Sequence, residues 1–364
     1  MNISIVGSNG FIGSNLKYFL KQRKNINILE IKRNEKIKSL KKKLKLSKII
    51  FHLGGENRSK LKKNFYLNNF ELSKKIALNT NKDSHIIYAS TIKVNNQTPY
   101  GQSKKKAEKI LKDYEKIKKY KLTILRLPNV FGRWSKPNYN SVVSTFCYNA
   151  ARNKISKVNE PKKKLKLLYI DDLVNQLFSM IFKKDKHLYP KIKNIQSIKL
   201  VDLYKKIYSL GNARDGLSID LVKSNLDKKI YSTYLSFIPE KKFILNFKHN
   251  IDKRGNFSEL LKSKNVGQIS YCTINPGQTR GNHFHFTKVE RFFAIHGKGK
   301  IVYKNIITKK EKTYLFDGEK PMIFETIPGW SHKLVNTTKS KAIFVLWTNE
   351  NFDIKKPDTY FYNI

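Results

Sequence analysis

The chain has 364 residues and a formal net charge of +47, with 74 Lys and Arg residues against 27 Asp and Glu residues. This length suits two domains, and a hydrophobic fraction of 40% is enough for two sizeable cores. So strong a positive charge would favour a nucleic-acid partner, but the lysines are scattered through predicted helices and no nucleic-acid fold signature accompanies them, so we expect no such partner.

The first predicted element is a strand, a glycine turn and a helix. Residues 3–6 are apolar, Gly7, Gly10 and Gly13 follow, and apolar residues then recur at helical spacing. Such glycines allow a tight turn and let backbone amides approach a pyrophosphate at the positive end of a helix. The pattern predicts a dinucleotide-binding turn, although an ordinary glycine-rich turn is the alternative.

The end of the second predicted strand bears on the choice of cofactor. After residues 27–31 the chain reads Lys32, Arg33 and Asn34. An acidic residue after this strand selects the ribose hydroxyls of NAD, whereas an arginine accommodates a 2′-phosphate. Arg33 therefore favours NADPH. The alternative is that Glu30, which lies within the strand, binds the ribose.

A catalytic group is predicted after the apolar run of residues 85–89, which Ser90 and Thr91 end. Tyr100 and Lys104 follow at i, i+4 spacing, on one helix face. At about 5 Å and an effective dielectric of about 20, a lysine ammonium favours the phenolate by about 3 kcal/mol, or about two pKa units. Tyrosine would then serve as an acid or base near neutral pH. A surface Tyr and Lys pair is the alternative.

The rhythm of the chain changes towards the C-terminus. Strands alternate with helical patterns up to residue 180, which predicts a parallel sheet, and residues 176–243 are helix-rich and suggest a substrate lobe. From residue 244 short aromatic and β-branched strands alternate with glycine turns, which predicts an antiparallel barrel. We expect two domains, 1–243 and 244–364.

The second predicted domain carries a metal-site pattern. His283 and His285 are two apart, so a strand would point both into a barrel, and Glu290 and His332 complete a three-histidine, one-carboxylate set. These ligand types suit Zn²⁺, while manganese, iron and copper remain alternatives. Four protein ligands in a tetrahedron would leave no position for substrate. The other alternative is core histidines without a metal.

Several segments of the chain resemble two known families. Residues 1–243 resemble an extended short-chain dehydrogenase/reductase of the sugar-nucleotide branch, on the glycine turn, on residues 52–55 and on residues 126–132. The segment from Gly277 to Gly297 and the segment containing His332 resemble the paired motifs of the cupin family, a small β-barrel. A doubly wound parallel sheet of the Rossmann type followed by an all-β cupin barrel is therefore the expected fold.

The resemblance to the reductases implies roles for individual residues. The catalytic trio would be Thr91, Tyr100 and Lys104. The implied cofactor contacts are Gly7, Asn9, Gly10, Phe11, Ile12, Gly13, Arg33, Leu53, Gly54, Tyr100 and Lys104. The implied substrate contacts are Ser90, Asn129, Arg133, Asn138 and Tyr139. For Asp171 and Asp172, at a later strand-to-helix junction, we expect the simpler role of helix N-caps.

The combination of both parts resembles one family over the whole chain, the bifunctional CapF-type capsule and O-antigen precursor enzymes. Residues 54–58, 252–257 and 281–288 carry this resemblance further. It implies a cupin that holds zinc and epimerises C3 of a UDP-linked 4-keto-6-deoxy amino-sugar, and a reductase that reduces C4 with NADPH. It also implies a homodimer. A cupin that only stabilises or dimerises the chain is one alternative, and a non-catalytic NADPH-binding or polyanion-binding protein is another.

Two further expectations concern cysteines and location. Cys147 and Cys272 show no metal or redox spacing, so we expect reduced core residues. The chain begins with a predicted strand rather than a signal peptide, and no apolar run approaches the roughly 18 residues of a spanning helix. We therefore expect a cytoplasmic protein without stable membrane insertion.

Overall fold

The computed structural model describes residues 1–182, 188–220 and 222–364. Residues 183–187 and 221, which belong to the predicted substrate lobe, lie outside this description. The chain forms two compact units, and each contains two segments. The first, called the reductase unit after the family that its sequence resembles, is Met1–Tyr208 with Ser224–Pro239; the second, called the β unit, is Ser209–Lys223 with Glu240–Ile364. The division therefore differs from a single boundary between residues 243 and 244.

The reductase unit is built on a parallel sheet of five strands, as the alternating pattern predicts. In chain order these are β1 (Asn2–Val6), β2 (Asn27–Ile31), β3 (Ile49–His52), β4 (His85–Thr91) and β5 (Lys121–Leu127). Their spatial order is β2-β1-β3-β4-β5, with every pair parallel. The reversal of strand order at β1 and β3 creates the crevice in which such sheets bind nucleotides, at the carboxyl ends of the strands.

Helices connect these strands and extend the unit. They are α1 (Phe11–Lys21), α2 (Ile37–Leu46), α3 (Lys62–Phe65), α4 (Leu72–Asn79), α5 (Pro99–Lys118), α6 (Val142–Ala150), α7 (Ile170–Phe182), α8 (Leu200–Asp215) and α9 (Asn225–Leu235). A π-helical turn, Tyr66–Glu71, joins α3 to α4, and a 3₁₀ turn spans Glu240–Lys242. The compact-unit boundary between Tyr208 and Ser209 falls within α8.

A smaller sheet lies beside the predicted substrate lobe. Its strands are β6 (Asn129–Phe131), β7 (Lys164–Tyr169) and β8 (Gln196–Lys199). The β6–β7 pair is parallel and the β7–β8 pair is antiparallel. The main core lies on the two faces of the five-stranded sheet, where side chains such as Ile5, Phe51 and Tyr88 are fully buried. Burial on both faces explains why these strands read as continuous apolar runs.

The β unit consists of two antiparallel sheets, which confirms the all-β prediction. One has the order β16-β13-β18-β11-β10-β9 and the other the order β15-β14-β17-β12-β19. The strands are β9 (Asn250–Asp252), β10 (Gly255–Ser263), β11 (Gly267–Ile274), β12 (Thr279–Phe284), β13 (Glu290–His296), β14 (Lys298–Asn305), β15 (Glu311–Asp317), β16 (Ile323–Glu325), β17 (Trp330–Asn336), β18 (Ala342–Thr348) and β19 (Tyr360–Phe361).

The core of the β unit is apolar and partly aromatic. Phe316 and Phe344 pack edge to face with their ring centroids 4.9 Å apart, and Ile301 and Leu334 are buried beside them. Cys272 belongs to this core and Cys147 is buried in the reductase unit, both as free thiols. Of the helices that the structure describes, none is both long and apolar enough to cross a membrane.

Candidate active site and metal centre

The glycine turn connects β1 to α1, as predicted. Gly7 has φ +81°, a conformation that favours glycine, and its amide donates to the carbonyl oxygen of Ile31 at 2.8 Å. A Cβ on Gly7 would lie 2.8 Å from the backbone of Gly54, which follows the end of β3. The backbone after β1 and the backbone after β3 therefore approach each other closely, without a side chain between them. The first turn of α1 follows directly.

The other predicted cofactor residues lie around this turn. Asn9 and Gly10 complete the loop, Phe11, Ile12 and Gly13 form the first turn of α1, and Leu53 and Gly54 directly follow β3. The amide of Gly10 donates to the carbonyl oxygen of Gly7 at 2.9 Å, which closes the loop. The N-terminus of α1 has no acidic residue in its first turn, so its positive dipole end is available to an anion.

Replacing Gly13 by alanine is expected to break this turn. The added Cβ would overlap the carbonyl oxygen of Gly7, and the clash is with backbone rather than with a flexible side chain. We expect a loss of at least tenfold in nicotinamide-nucleotide affinity, measured by fluorescence titration, and a lower melting temperature. Lys21→Ala, at the exposed end of the same helix, is the control. Wild-type affinity in Gly13→Ala would contradict this account of the turn.

Thr91 and Tyr100 come together at the carboxyl end of β4. Thr91 is the last residue of β4, and Tyr100 lies in the first turn of α5, where Thr98 caps the helix and Pro99 begins it. The Thr91 side chain lies close enough to the phenol of Tyr100 to interact with it. Burial raises the pKa of Tyr100 above its ordinary value, and the interaction with Thr91 opposes the shift. The phenol is therefore a proton donor in this structure.

Lys104 lies on the same face of α5, but its ammonium does not contact Tyr100 as the sequence predicted. Its Nζ donates to the carbonyl oxygen of Ala89 at 2.6 Å and lies 4.2 Å from the ring centroid of Tyr88. Burial lowers the pKa of Lys104 to about 7, and Glu108 opposes that shift. The expected lowering of the Tyr100 pKa by Lys104 is wrong for this state, because burial dominates both groups.

Glu108 is a buried residue that the sequence analysis missed. Its carboxylate accepts from the Ser90 hydroxyl at 2.5 Å and from Arg126 through two nitrogens, at 3.2 and 2.7 Å. The Ser90 hydroxyl, a predicted substrate contact, is buried and directed at Glu108 in this structure, and its contact with substrate stays a prediction. The signal for Glu108 was its position four residues after Lys104, on the same helix face.

A second missed residue, Glu56, connects the predicted cofactor and substrate segments. Its carboxylate accepts from Arg33 at 3.1 Å and from the Tyr139 hydroxyl at 2.7 Å. Arg58 donates to the main-chain carbonyl oxygens of Asn138 and Tyr139. Burial, then Glu56, raises the pKa of Tyr139 to about 12. Arg33, after the end of β2, remains largely exposed, whereas Glu30 lies within β2 and pairs with Lys17.

The remaining predicted substrate residues lie near one another in the chain but have protein partners. Asn129, in β6, donates to the carbonyl oxygen of Lys166 at 3.1 Å. Arg133 pairs with Asp171 at 2.7 Å, and Asp172 pairs with Lys229 at 2.6 Å. Because α7 begins at Ile170, both aspartates lie inside its first turn. The expected N-cap role is therefore wrong, and their carboxylates form ion pairs instead.

The β unit brings the four predicted metal ligands together. They are His283, His285, Glu290 and His332, called the histidine–glutamate cluster, and their candidate ligand atoms all lie within 4.8 Å of one another. His283, the penultimate residue of β12, lies opposite His332 in β17, His285 follows β12, and Glu290 begins β13. The glutamate oxygen Oε2 lies 3.4 Å from Nε2 of His285 and 3.6 Å from Nε2 of His332.

The hydrogen bonds of this cluster fit a bound cation. The Nδ1–H of His285 donates to the carbonyl oxygen of Asp358 at 2.6 Å, which leaves a lone pair on Nε2. That buried nitrogen has no hydrogen-bond partner among the described residues, and it faces a carboxylate oxygen. A cation between Nε2 of His285 and the carboxylate oxygen of Glu290 would satisfy both acceptors. Ligands of a tetrahedral zinc ion lie about 3.4 Å apart, close to these distances.

The charges of the cluster agree with this interpretation. Burial lowers the pKa of His283 to about 3 and lowers the pKa of His332, so both imidazoles are neutral at neutral pH. Burial opposes the anion of Glu290, but His285 and His332 hold the pKa of its carboxyl well below the usual range. Neutral imidazoles and an ionised carboxylate are the protonation states in which these side chains bind metals.

A cavity of about 400 Å³ opens onto the cluster. Its wall includes three of the four cluster residues, the cations Arg254, Arg280 and Lys288, and apolar side chains such as Phe292 and Leu346. Arg280 is partly buried and donates to the carbonyl oxygen of Thr273 at 3.1 Å. A cationic pocket beside the histidine–glutamate cluster suits an anionic organic ligand of moderate size.

Comparisons with known proteins agree with this division of the chain. Residues 73–195 match the model of the NAD dependent epimerase/dehydratase family. Residues 250–360 match the model of the polysaccharide biosynthesis C-terminal domain. The two matches fall on the reductase unit and the β unit respectively. The class that fold and comparisons define is an oxidoreductase of the short-chain dehydrogenase/reductase type with a C-terminal β unit.

The full-length relatives are more specific. The chain is 36% identical to UDP-2-acetamido-2,6-beta-L-arabino-hexul-4-ose reductase of Pseudomonas aeruginosa, over 99% of this chain and 98% of the relative. It is 34% identical to the capsular polysaccharide assembling protein CapF of Staphylococcus aureus, with a TM-score of 0.93 and complete coverage of both chains. The chain belongs to the UDP-2-acetamido-2,6-beta-L-arabino-hexul-4-ose reductase family.

A more distant neighbour agrees in fold. UDP-glucuronic acid 4-epimerase of Bacillus cereus, solved in complex with NAD, covers 65% of this chain at 15% identity, with a TM-score of 0.57. The similarity spans 98% of that protein. At this identity the likeness concerns the fold alone.

Proposed function

We propose that this chain is a bifunctional sugar-nucleotide enzyme. The β unit, a cupin, epimerises C3 of a UDP-4-keto-6-deoxy-N-acetylhexosamine, and the reductase unit then reduces C4 to give UDP-N-acetyl-6-deoxy-L-talosamine, on the route to UDP-N-acetyl-L-fucosamine. The observation that carries the proposal is the histidine–glutamate cluster, which faces a cavity in a chain that also holds Thr91 beside Tyr100. The relative's name, a UDP-sugar reductase, supports the substrate class.

In the reductase unit, NADPH bound along the glycine turn would supply the hydride for C4 of the ketone. Thr91 would hydrogen-bond the carbonyl oxygen, and Tyr100 would give its phenolic proton to that oxygen as negative charge develops there. Lys104 would bind the nicotinamide ribose from its place beside Ala89. Asn129, Arg133, Asn138 and Tyr139 would contact the sugar and the diphosphate, after exchange of their present partners.

Arg33 is proposed to select NADPH, which gives a direct test. A charge-assisted hydrogen bond to a 2′-phosphate contributes about 1.5–3 kcal/mol, or about 10- to 100-fold in affinity. We expect Arg33→Gln to weaken NADPH binding by this factor and to leave NADH binding nearly unchanged, by fluorescence titration of both nucleotides. Glutamine avoids placing a second carboxylate beside Glu56.

Lys24→Gln, an exposed charge change near the start of β2, is the matched control. If Arg33→Gln keeps the wild-type ratio of NADPH to NADH affinity, Glu30 becomes the better candidate for the ribose contact. The same result would argue against NADPH selection by the segment that follows β2.

In the cupin, His283, His285, Glu290 and His332 would hold a divalent metal, and three imidazoles with one carboxylate suit zinc. The metal, when bound, stabilises the negative charge that develops on the C4 oxygen when the proton at C3 is removed. The cations Arg254, Arg280 and Lys288 in the cavity wall would attract the diphosphate. Loss of the proton on one face of C3 and its return on the other inverts that carbon.

One alternative keeps the reductase and makes the metal structural. Four protein ligands are the usual set for a structural zinc site, since a catalytic site commonly keeps one position open. A cupin that serves only to stabilise or dimerise the chain would then require C3 inversion by another enzyme. The cavity beside the cluster favours the catalytic proposal, because a purely structural ion needs no such space.

One assay separates these functions. The purified chain is incubated with the 4-keto-6-deoxy UDP-hexosamine in heavy water, with and without NADPH, and the products are identified by NMR and mass spectrometry. Deuterium at C3 without NADPH, and a C4-reduced sugar with NADPH, are the expected results. Reduction at C4 without deuterium at C3 would indicate a reductase without epimerase activity. Absence of both deuterium at C3 and reduction at C4 would overturn the proposal.

A further inference from the structure

The C-terminal segment contacts the strand and the loop that carry His283 and His285. This segment, residues 357–361, is called the C-terminal strap. It ends in β19, which pairs with β12 so that Phe361 lies opposite His283. The strap therefore contacts the cluster through one sheet ladder and, in addition, through the side chain and main chain of Asp358.

Asp358 makes an unusual number of contacts for one residue near a chain end. Its carboxylate accepts from the amides of Phe286, Thr287 and Lys288 at 3.1, 2.8 and 2.7 Å, and from the Thr287 hydroxyl at 2.9 Å. These three residues directly follow His285. The side chain of Asp358 thus fixes the loop between β12 and β13, which carries His285 at one end and Glu290 at the other.

The main chain of Asp358 acts on His285 itself. Its carbonyl oxygen accepts from Nδ1–H of that histidine at 2.6 Å, which fixes the tautomer and turns Nε2 towards Glu290. Hydrogen bonds to the second nitrogen of a metal-binding histidine orient the ring and raise its basicity, and their loss typically weakens metal affinity about 10- to 100-fold. The carboxylate of Asp358 supports this contact, because it holds the same residue against the loop that follows His285.

A second anchor joins the strap to the cavity. Lys288, a buried cation in the cavity wall, donates from Nζ to the carbonyl oxygen of Pro357 at 3.1 Å and to the Thr359 hydroxyl at 2.8 Å. Asp358 itself has φ +37°, a region in which Asp and Asn are several-fold enriched over most other residues. Asp358 therefore lies between Pro357 and Thr359, the two residues that Lys288 contacts, in a backbone conformation that favours Asp or Asn.

We propose that Asp358 is a positioning residue for the divalent-cation site, which holds His285 with Nε2 directed into the histidine–glutamate cluster. This rests on the proposed function, in that it takes the cluster to bind a divalent cation. Asp358 touches neither the cation nor the substrate. Asp358 acts on the site through His285 and the loop of residues 286–288. Substitution of Asp358 should therefore change the cation affinity of the cluster.

The test measures zinc affinity of the full chain by competition with the chromophoric chelator 4-(2-pyridylazo)resorcinol. Asp358→Asn keeps the size and the backbone tolerance of the residue but removes the negative charge and replaces one acceptor oxygen by an amide nitrogen, and we expect its zinc Kd to rise about tenfold. Asp358→Ala should raise the Kd about 100-fold. The visible absorption spectrum of the cobalt-loaded protein should change in band shape as well as in intensity, because the imidazole of His285 is reoriented.

The matched control is Asp353→Asn, in the same C-terminal region, whose carboxylate accepts, among the described residues, from the nearby amide of Lys355 alone. It should bind zinc as the wild type does. The melting temperature of the metal-free proteins separates affinity from folding. If Asp358→Asn melts like the wild type and binds zinc tenfold more weakly, the proposal holds.

Two results would overturn the proposal. Zinc affinity and cobalt spectrum equal to wild type in Asp358→Asn and Asp358→Ala would do so while the proposed function stands. A lower metal-free melting temperature with unchanged zinc affinity would reduce Asp358 to a structural residue. Failure of the proposed metal site itself is recognised separately, because the wild-type chain would then bind no zinc.

Discussion

Tyr100→Phe is expected to lose about 10²- to 10⁴-fold in the rate of NADPH oxidation, the usual contribution of a positioned general acid. The change removes one hydroxyl, and the ring stays in the first turn of α5 beside Thr91. C3 exchange belongs to the β unit in our proposal. Deuterium incorporation at C3 should therefore continue at the wild-type rate in the same variant.

Tyr114→Phe, on the same helix, is the matched control and should keep both activities. Nucleotide affinity should also remain within twofold in Tyr100→Phe, so that lost binding does not explain the lost rate. Simultaneous loss of reduction and C3 exchange in Tyr100→Phe would contradict the division of labour between the two units.

Removal of a cluster ligand is expected to have the second large effect. Glu290→Gln and His332→Gln should lose bound zinc, measured by elemental analysis, and should lose C3 exchange. Reduction of a ketone that already has the inverted C3 should survive. Binding at about 1,000 times the Kd stabilises a folded protein by about 4 kcal/mol, so the melting transition of the β unit should fall by several degrees.

His296→Gln provides the comparison for these variants, because this exposed histidine ends the strand that Glu290 begins and lies outside the cluster. It should retain zinc and both activities. Full C3 exchange in zinc-free Glu290→Gln would support the structural role of the metal instead. Loss of ketone reduction together with zinc would show that the reductase unit depends on the β unit.

Much of the reductase unit could be predicted from the sequence because its signals are local. Residues 3–13 contain the strand, the glycine turn and the first helical turn in unbroken succession, and the spacing of Tyr100 and Lys104 fixes one helix face. The buried parallel strands appear as apolar runs. Local geometry of this kind needs no knowledge of distant contacts.

The direction of long side chains could not be predicted in this way. Lys104 was expected to act on Tyr100, yet its ammonium donates to Ala89, because a buried ammonium needs an acceptor and the end of β4 offers a carbonyl oxygen. Ser90 was expected to face the substrate, yet in this structure its hydroxyl donates to Glu108. Both outcomes depend on which polar groups are buried together, and sequence spacing does not specify that.

The histidine–glutamate cluster was predicted only in part. Strand periodicity predicted that His283 and His285 share a side, and their ring centroids lie 5.0 Å apart. The contribution of Asp358 was not foreseen. It lies 73 residues from the histidine that it contacts and follows no strand pattern that would place it there.

The interleaving of the two units affects how the chain can be cut. Residues 217–220 belong to the β unit: Ile219 donates to the carbonyl oxygen of Lys262 at 3.0 Å, and Asp220 accepts from the Ser263 hydroxyl at 2.6 Å. A fragment that starts at residue 244 would leave these groups of β10 unpaired. Gene splitting at that point should yield an aggregation-prone C-terminal piece, whereas a circular permutation that keeps Ser209–Lys223 attached should give a foldable one.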